Sequence, residues 1–107
     1  IITTIESYLH YIVNVNSVCH HKIFIQGVPC PNINIKNYSE KEILELVEVI
    51  KVFNFELQKL SENRGFEFID VHKLTDRGDG LSNKIWHIDN HHLSPQGVLE
   101  AWSRYAF

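Results

Sequence analysis

Apolar residues recur at three- and four-residue steps at the start of the chain: Ile1, Ile5, Leu9, Ile12 and Val13. That period places them on one helical face, so residues 2–15 are predicted as an amphipathic helix. The stretch "VCHHK" breaks the period, and its His20 and His21 are expected in a turn. "KIFIQG", Lys22 to Gly27, then gathers branched and aromatic residues in the pattern of a short buried strand. Pro29 and Pro31 in "VPCPN" lack backbone donors and restrict the chain, so a loop follows.

The next element has a marked start. Ser39 and Glu42 form S-x-x-E, a capping box, with Tyr38 placed to staple onto Ile43. Ile43, Val47, Ile50, Phe53 or Asn54, Leu57 and Leu60 give one apolar stripe, and Gly65 after Arg64 is a natural stop. "FEFIDV", Phe66 to Val71, is predicted as a second strand, and residues 72–88, with Gly78 and Gly80, as a long loop. Ser94 as N-cap and Pro95 at the first helical position open a last helix. Its apolar face would be Val98, Ala101, Trp102 and Tyr105.

The predicted order is helix, strand, helix, strand, helix. Two strands joined by a long helix form a right-handed βαβ unit with parallel strands. Such a pair is marginal alone and wants both faces covered. The expected fold class is therefore α/β, the C-terminal part of a larger three-layer α/β/α sandwich. The 107 residues suit one small domain spanning 1–107. The first residue is Ile, and the chain is expected to begin within a longer sequence. Missing N-terminal strands, or a second chain, would then complete the sheet.

Composition narrows the function classes. Hydrophobic residues make up 44% of the chain, enough to favour a folded core over disorder. No apolar run reaches the ~18 residues of a membrane span. The net charge is -3 and the basic residues are scattered, which argues against a nucleic-acid partner. Cys19 and Cys30 are too few for a disulfide framework, and each is read as a free buried thiol. The sequence leaves the compartment open.

In parallel α/β sheets, ligands bind beyond the carboxyl ends of the strands. The loops after Gly27 and Val71 both lie there. The second runs through "WHIDNHHLSPQG", in which Asp89 and His92 stand in D-x-x-H spacing ahead of a helix. A carboxylate turned onto one imidazole nitrogen leaves the other free to take a proton from a nucleophile. With four Asp and seven His in the chain, chance alone yields one such spacing about a quarter of the time, so the context carries the weight.

That context, "FEFIDVHKL" followed by "DNHHLSPQG", resembles the C-terminal signature of SGNH hydrolases, also called GDSL esterases and lipases. "IFIQGVPCPN" is similar to the strand and proline-containing loop that often precede it there. The resemblance implies a flavodoxin-like sandwich with about five parallel strands and hydrolysis of acyl or acetyl esters through a serine. It implies that Asp89 is the acid of the triad, that His92 is its general base, and that His91 has no role. The substrate would be a small-molecule or carbohydrate ester, with no metal or organic cofactor. The family's nucleophile and oxyanion segments, G-D-S and G-x-N-D, do not occur in the 107 residues. The chain would thus supply only the Asp–His part of the triad.

Other readings stand beside this one. A non-catalytic binding module would keep the fold without turnover. H-x-D-x-H-H, from His87 through His92, is a pattern that can bind zinc. Otherwise His87 and His91 are expected at the surface or beside substrate, His72 packed, solvated or lining the crevice, Pro29 walling the site, and Trp86 walling the site or packed in the core. Ser94 is read as a helix cap, Ser82 as a loop residue, and "DRGDG" from Asp76 to Gly80 as a solvated turn without calcium-ligand spacing.

Overall fold

A computed structural model describes residues 1–19, without the side chain of Cys19, and residues 21–106. The expected turn position of His20 and the expected thiol burial of Cys19 lie outside the described residues. The chain is mixed α/β. Its α-helices are α1 (Ile2–Cys19), α2 (Glu40–Asn63), α3 (Val71–Thr75) and α4 (Pro95–Tyr105). Its strands are β1 (Phe24–Gln26) and β2 (Glu67–Ile69), and a 3-10 turn spans Ile35–Asn37. The strands run parallel, with Ile25 opposite Phe68 and Gln26 opposite Ile69.

Local chemistry accounts for the boundaries of α2. The Glu42 backbone N–H donates to Ser39 Oγ at 3.1 Å, and the Ser39 N–H donates to Glu42 Oε1 at 2.9 Å, which closes the capping box. At the other end Gly65 takes φ +77°, a left-handed conformation that only glycine adopts cheaply, and its N–H reaches the Glu62 carbonyl. The crossover α2 thus carries the chain from the end of β1 back to the start of β2.

Successive strand residues point to opposite faces, and the core divides accordingly. Ile25 and Phe68 join Ile5 and Leu9 of α1, Leu57 of α2, and Phe66 in one buried cluster. Ile69 joins Val71 and Leu74 of α3 and Ala101 of α4 in another, against which Phe24, Trp86, Leu93 and Trp102 pack. Each fully buried Ile, Leu or Phe adds about 1.5–3 kcal/mol, so these clusters are the main driving term for the fold.

The structure corrects several expectations. α1 continues four residues past Asn14–Val15, to Cys19, and its packed seam is narrower than its apolar content. Ile5 and Leu9 are buried and Ile12 half-buried, whereas Ile1 is exposed and Val13 is 40% exposed. The packed line runs through Ile5, Leu9 and Ile12, at i, i+4 and i+7, so Ile12 rather than Val13 continues it. Both strands are three residues long. The second ends early because Asp70 caps α3, its Oδ1 accepting the Lys73 N–H at 3.0 Å. Part of the predicted loop is therefore helical. In α4, Val98 is 37% exposed and Gly97 holds the buried position. A Cβ on Gly97 would sit 2.8 Å from the Trp86 carbonyl oxygen, so the helix lies directly on that backbone.

Among the described residues β1 pairs only with β2, which leaves its other edge open. No helix among them is long and apolar enough to cross a membrane.

Candidate active site

The loop between Trp86 and α4 folds back on itself. His87 bridges Leu93 in antiparallel fashion, the Ile88 N–H donates to the His92 carbonyl at 2.9 Å, and the Ser94 N–H donates to the Trp86 carbonyl at 2.7 Å. Ser94 then caps α4, its Oγ accepting the Gly97 N–H, as its sequence position indicates. Asp89 and His92 are held at the tip of this loop.

There the Asp89 carboxylate organises both backbone and ring. Its Oδ1 accepts the backbone N–H groups of His91 at 2.8 Å and His92 at 2.7 Å. Its Oδ2 lies 2.9 Å from Nδ1 of the His92 ring, with Oδ1 at 3.0 Å. The His91 N–H, then the His92 ring and the His92 N–H, hold the Asp89 carboxyl down at about 2. An acceptor ionised at neutral pH beside Nδ1 favours the tautomer with hydrogen there, which leaves Nε2 as the free base. Both side chains are open to solvent, His92 74% and Asp89 54% exposed.

Two residues that pattern reading passes over tie this loop to the one after β1. Asn32 Nδ2 donates to the Asp89 carbonyl at 3.0 Å, and Lys84 Nζ donates to Asn32 Oδ1 at 3.0 Å. Lys84 is the one non-glycine residue with positive φ, 63°, among those described. Beside the loop tip, Asn90 and His91 border a cavity of about 160 Å³ whose other walls are apolar, including Val28, Pro29, Pro31 and Ile50. Pro29 thus does wall a cavity, while Trp86 packs against the core cluster under α4. His91 stands edge-on to His92, ring centroids 6.4 Å apart, and makes no contact with the carboxylate through its ring.

A third residue, Asn54, is buried on α2 amid the apolar stripe. Its Oδ1 accepts the Val28 N–H at 2.8 Å, and its Nδ2 donates to the carbonyls of Val28 and Ile50, both at 3.0 Å. It thereby satisfies the backbone where the chain leaves β1. The sequence signal was a polar residue at a stripe position, where Phe53 and Asn54 both fitted the period.

Ser82 is a loop residue, as expected, whereas His87 departs from its expected surface place. Ser82 is only 3% exposed, its Oγ 2.7 Å from Nδ1 of His87 and accepting the Lys84 N–H. His87 is half-buried, its Nε2 is enclosed without a partner, and burial lowers its pKa. The pairing is the wrong way round for a triad, in which serine meets the nitrogen remote from the acid. Burial of His87 against Ser82 also breaks up the H-x-D-x-H-H zinc pattern. Among the described residues the only three ligand groups that converge are Cys30, His72 and Asp76.

Around those three, Cys30 is fully buried, its N–H donating to Thr75 Oγ1 at 2.9 Å and its thiol to the His72 carbonyl at 3.3 Å. Burial above all pushes the thiol up to about 11, which makes it a poor free nucleophile. The "DRGDG" segment is a turn, as expected. Asp76 Oδ1 accepts the N–H groups of Gly78 and Gly80, and Arg77 pairs with Asp79 at 2.8 Å.

No protein-family model, no curated protein and no solved structure matches this chain.

Proposed function

We propose that this chain carries the Asp–His part of an SGNH-type serine ester hydrolase. The observation that carries the reading is the Asp89 carboxylate 2.9 Å from His92 Nδ1, on a loop beyond the carboxyl ends of parallel strands and just ahead of a helix. In the proposed reaction, Nε2 of His92 takes the proton of a serine hydroxyl as its oxygen attacks the ester carbonyl. The same proton then goes to the leaving alcohol. A water molecule repeats the cycle on the acyl-enzyme, and Asp89 stabilises the imidazolium each time. The serine comes from a segment outside these 107 residues, on the same polypeptide or a second one. The apolar cavity beside His91 would receive a short acyl or acetyl group of a small-molecule or carbohydrate ester. The reading uses no metal or organic cofactor.

The fold supports it in a coarser way. Helices cover both faces of the strand pair through the two core clusters, and β1 has an open edge where further strands would pair. These features support reading the chain as the C-terminal part of a three-layer α/β/α sandwich. The exposure of His92 and Asp89 favours one second reading, a binding module that keeps the fold without turnover.

Kinetics on the polypeptide that includes the serine segment separate them. His92→Ala should cut hydrolysis of an aryl acetate by several powers of ten, and Asp89→Asn by up to about ten-thousandfold. His91→Ala should cost far less. The 107-residue chain by itself should be inert. A complete protein without esterase activity would favour the binding module, and hydrolysis that survives both His92→Ala and Asp89→Asn would sink the dyad.

A further inference from the structure

We infer that Cys30, His72 and Asp76 form a binding site for one divalent metal ion of the zinc class. Three observations converge on it. One ligand atom from each residue lies within 4.8 Å of the other two. Nε2 of His72 is buried without a hydrogen-bond partner, which leaves it open to an occupant. The donor set, one thiolate, one imidazole and one carboxylate, is a borderline-soft mixture that suits zinc rather than magnesium or calcium.

The fold places these groups together for traceable reasons. His72 and Asp76 are four residues apart, at the start and the C-cap of α3, and so lie on the same side of a single turn. Cys30 comes from the loop after β1 and is anchored over that turn by its N–H on Thr75 Oγ1. Asp76 Oδ1 serves the Gly78 and Gly80 N–H groups, which leaves Oδ2 for a cation. Asp70 and Asp79 add negative potential at Cys30. Bond lengths of about 2.0–2.3 Å to zinc imply ligand atoms roughly 3.3–3.7 Å apart in a tetrahedron. The site must therefore tighten by about 1 Å at its longest edge, within reach of side-chain rotation.

Binding exchanges the thiol proton for the metal. The S–H bond breaks, the proton leaves to solvent, and the thiolate pair forms the metal–sulfur bond. Neutral His72 and ionised Asp76 complete a neutral set around M²⁺, with water in the fourth position. The ion would pin the proline-containing loop that walls the cavity to α3. This role is independent of the Asp89–His92 dyad.

The test is titration of the purified, metal-free protein with Co²⁺, followed by absorption. A thiolate-to-cobalt charge-transfer band in the near ultraviolet should saturate at one equivalent and disappear when Zn²⁺ is added. Cys30→Ser should abolish the band, and Cys19→Ser should leave it. His72→Gln and Asp76→Asn should each weaken binding at least about tenfold; Asn at 76 keeps the turn acceptor. If Cys30→Ser fails to fold by circular dichroism, Cys19→Ser together with Asp76→Asn and His72→Gln decides the matter. No band on the folded wild-type protein overturns the site. So does a band that survives in folded Cys30→Ser, vanishes in folded Cys19→Ser, or is indifferent to changes at both 72 and 76.

Discussion

Replacing Asn54 should be among the most damaging single changes in this protein, although the residue touches no candidate catalytic group. Asn54→Ala leaves the Val28 N–H and the Val28 carbonyl without their partners at 2.8 and 3.0 Å. A buried backbone group stripped of its partner costs about 1–3 kcal/mol. Val28 is half-buried, so water recovers part of this, and we expect a loss of about 2–4 kcal/mol in total. At about 4–8 °C per kcal/mol for a domain of this size, Tm should fall by roughly 8–32 °C. Asn54→Asp makes a sharper test. One carboxylate oxygen can still accept from Val28, but the other would face the carbonyls of Val28 and Ile50, both acceptors. The introduced carboxyl is therefore raised in the folded state and keeps its proton where the unfolded chain has lost it. Stability should then fall as pH rises from about 4 through the raised value and level off beyond it. Urea unfolding at pH 4 and pH 7 reads both effects. Asn54→Ala within about 0.5 kcal/mol of wild type, or a pH-indifferent Asn54→Asp, would refute the argument. Val28 also walls the cavity beside His91, so under the proposed esterase reading acyl binding should weaken in parallel.

Three other outcomes follow from local geometry. Gly80 has φ +87° and its Cβ would fall 2.4 Å from Val47 Cγ1, so Gly80→Ala should destabilise by about 1–3 kcal/mol in thermal unfolding. Val47→Ala should relieve the clash but leave the backbone strain; full rescue would contradict the φ argument. Ser39→Ala should cost about 1 kcal/mol by loss of the capping box, while Ser39→Asp should cost clearly less. The Asp89 carboxyl should titrate by NMR with a midpoint near 2. Its folded value is depressed, so the order it gives the loop is present above the ordinary 3.8 and lost as pH falls through about 2. A midpoint at or above 3.8 would mean that the loop hydrogen bonds do not persist in solution.

Local signals were strong wherever one residue's chemistry decided the backbone. Ser39 with Glu42, Gly65, and Ser94 with Pro95 each mark a helix end that the structure places within a residue or two. The D-x-x-H spacing is of the same kind. A carboxylate three residues before a histidine can bind that residue's own backbone and ring, so the Asp89–His92 contact needed nothing from the rest of the fold. The strand pair and its parallel sense were likewise legible, because a long helix between two short apolar runs leaves few alternatives.

What tertiary structure decided was which member of an apolar or polar set is used. Val13 and Val98 fit their helical periods yet stay exposed, because the neighbouring Ile12 and Gly97 take the packed positions. Gly97 replaced Val98 at the α4 contact because the Trp86 backbone comes too close for a side chain. His87 turned inward onto Ser82, Asn54 reached across to Val28, and Cys30 met His72 and Asp76. The last two contacts join groups brought together by the packing of a loop against α2 or α3, the first depends on how its own loop folds back, and spacing along the chain holds no record of such distances. The sequence therefore determined the helix ends, the strand order and the Asp89–His92 contact, because those depend on neighbours within a few residues. Which histidines, serines and cysteines would meet depended on packing between segments 5 to 46 residues apart in the chain.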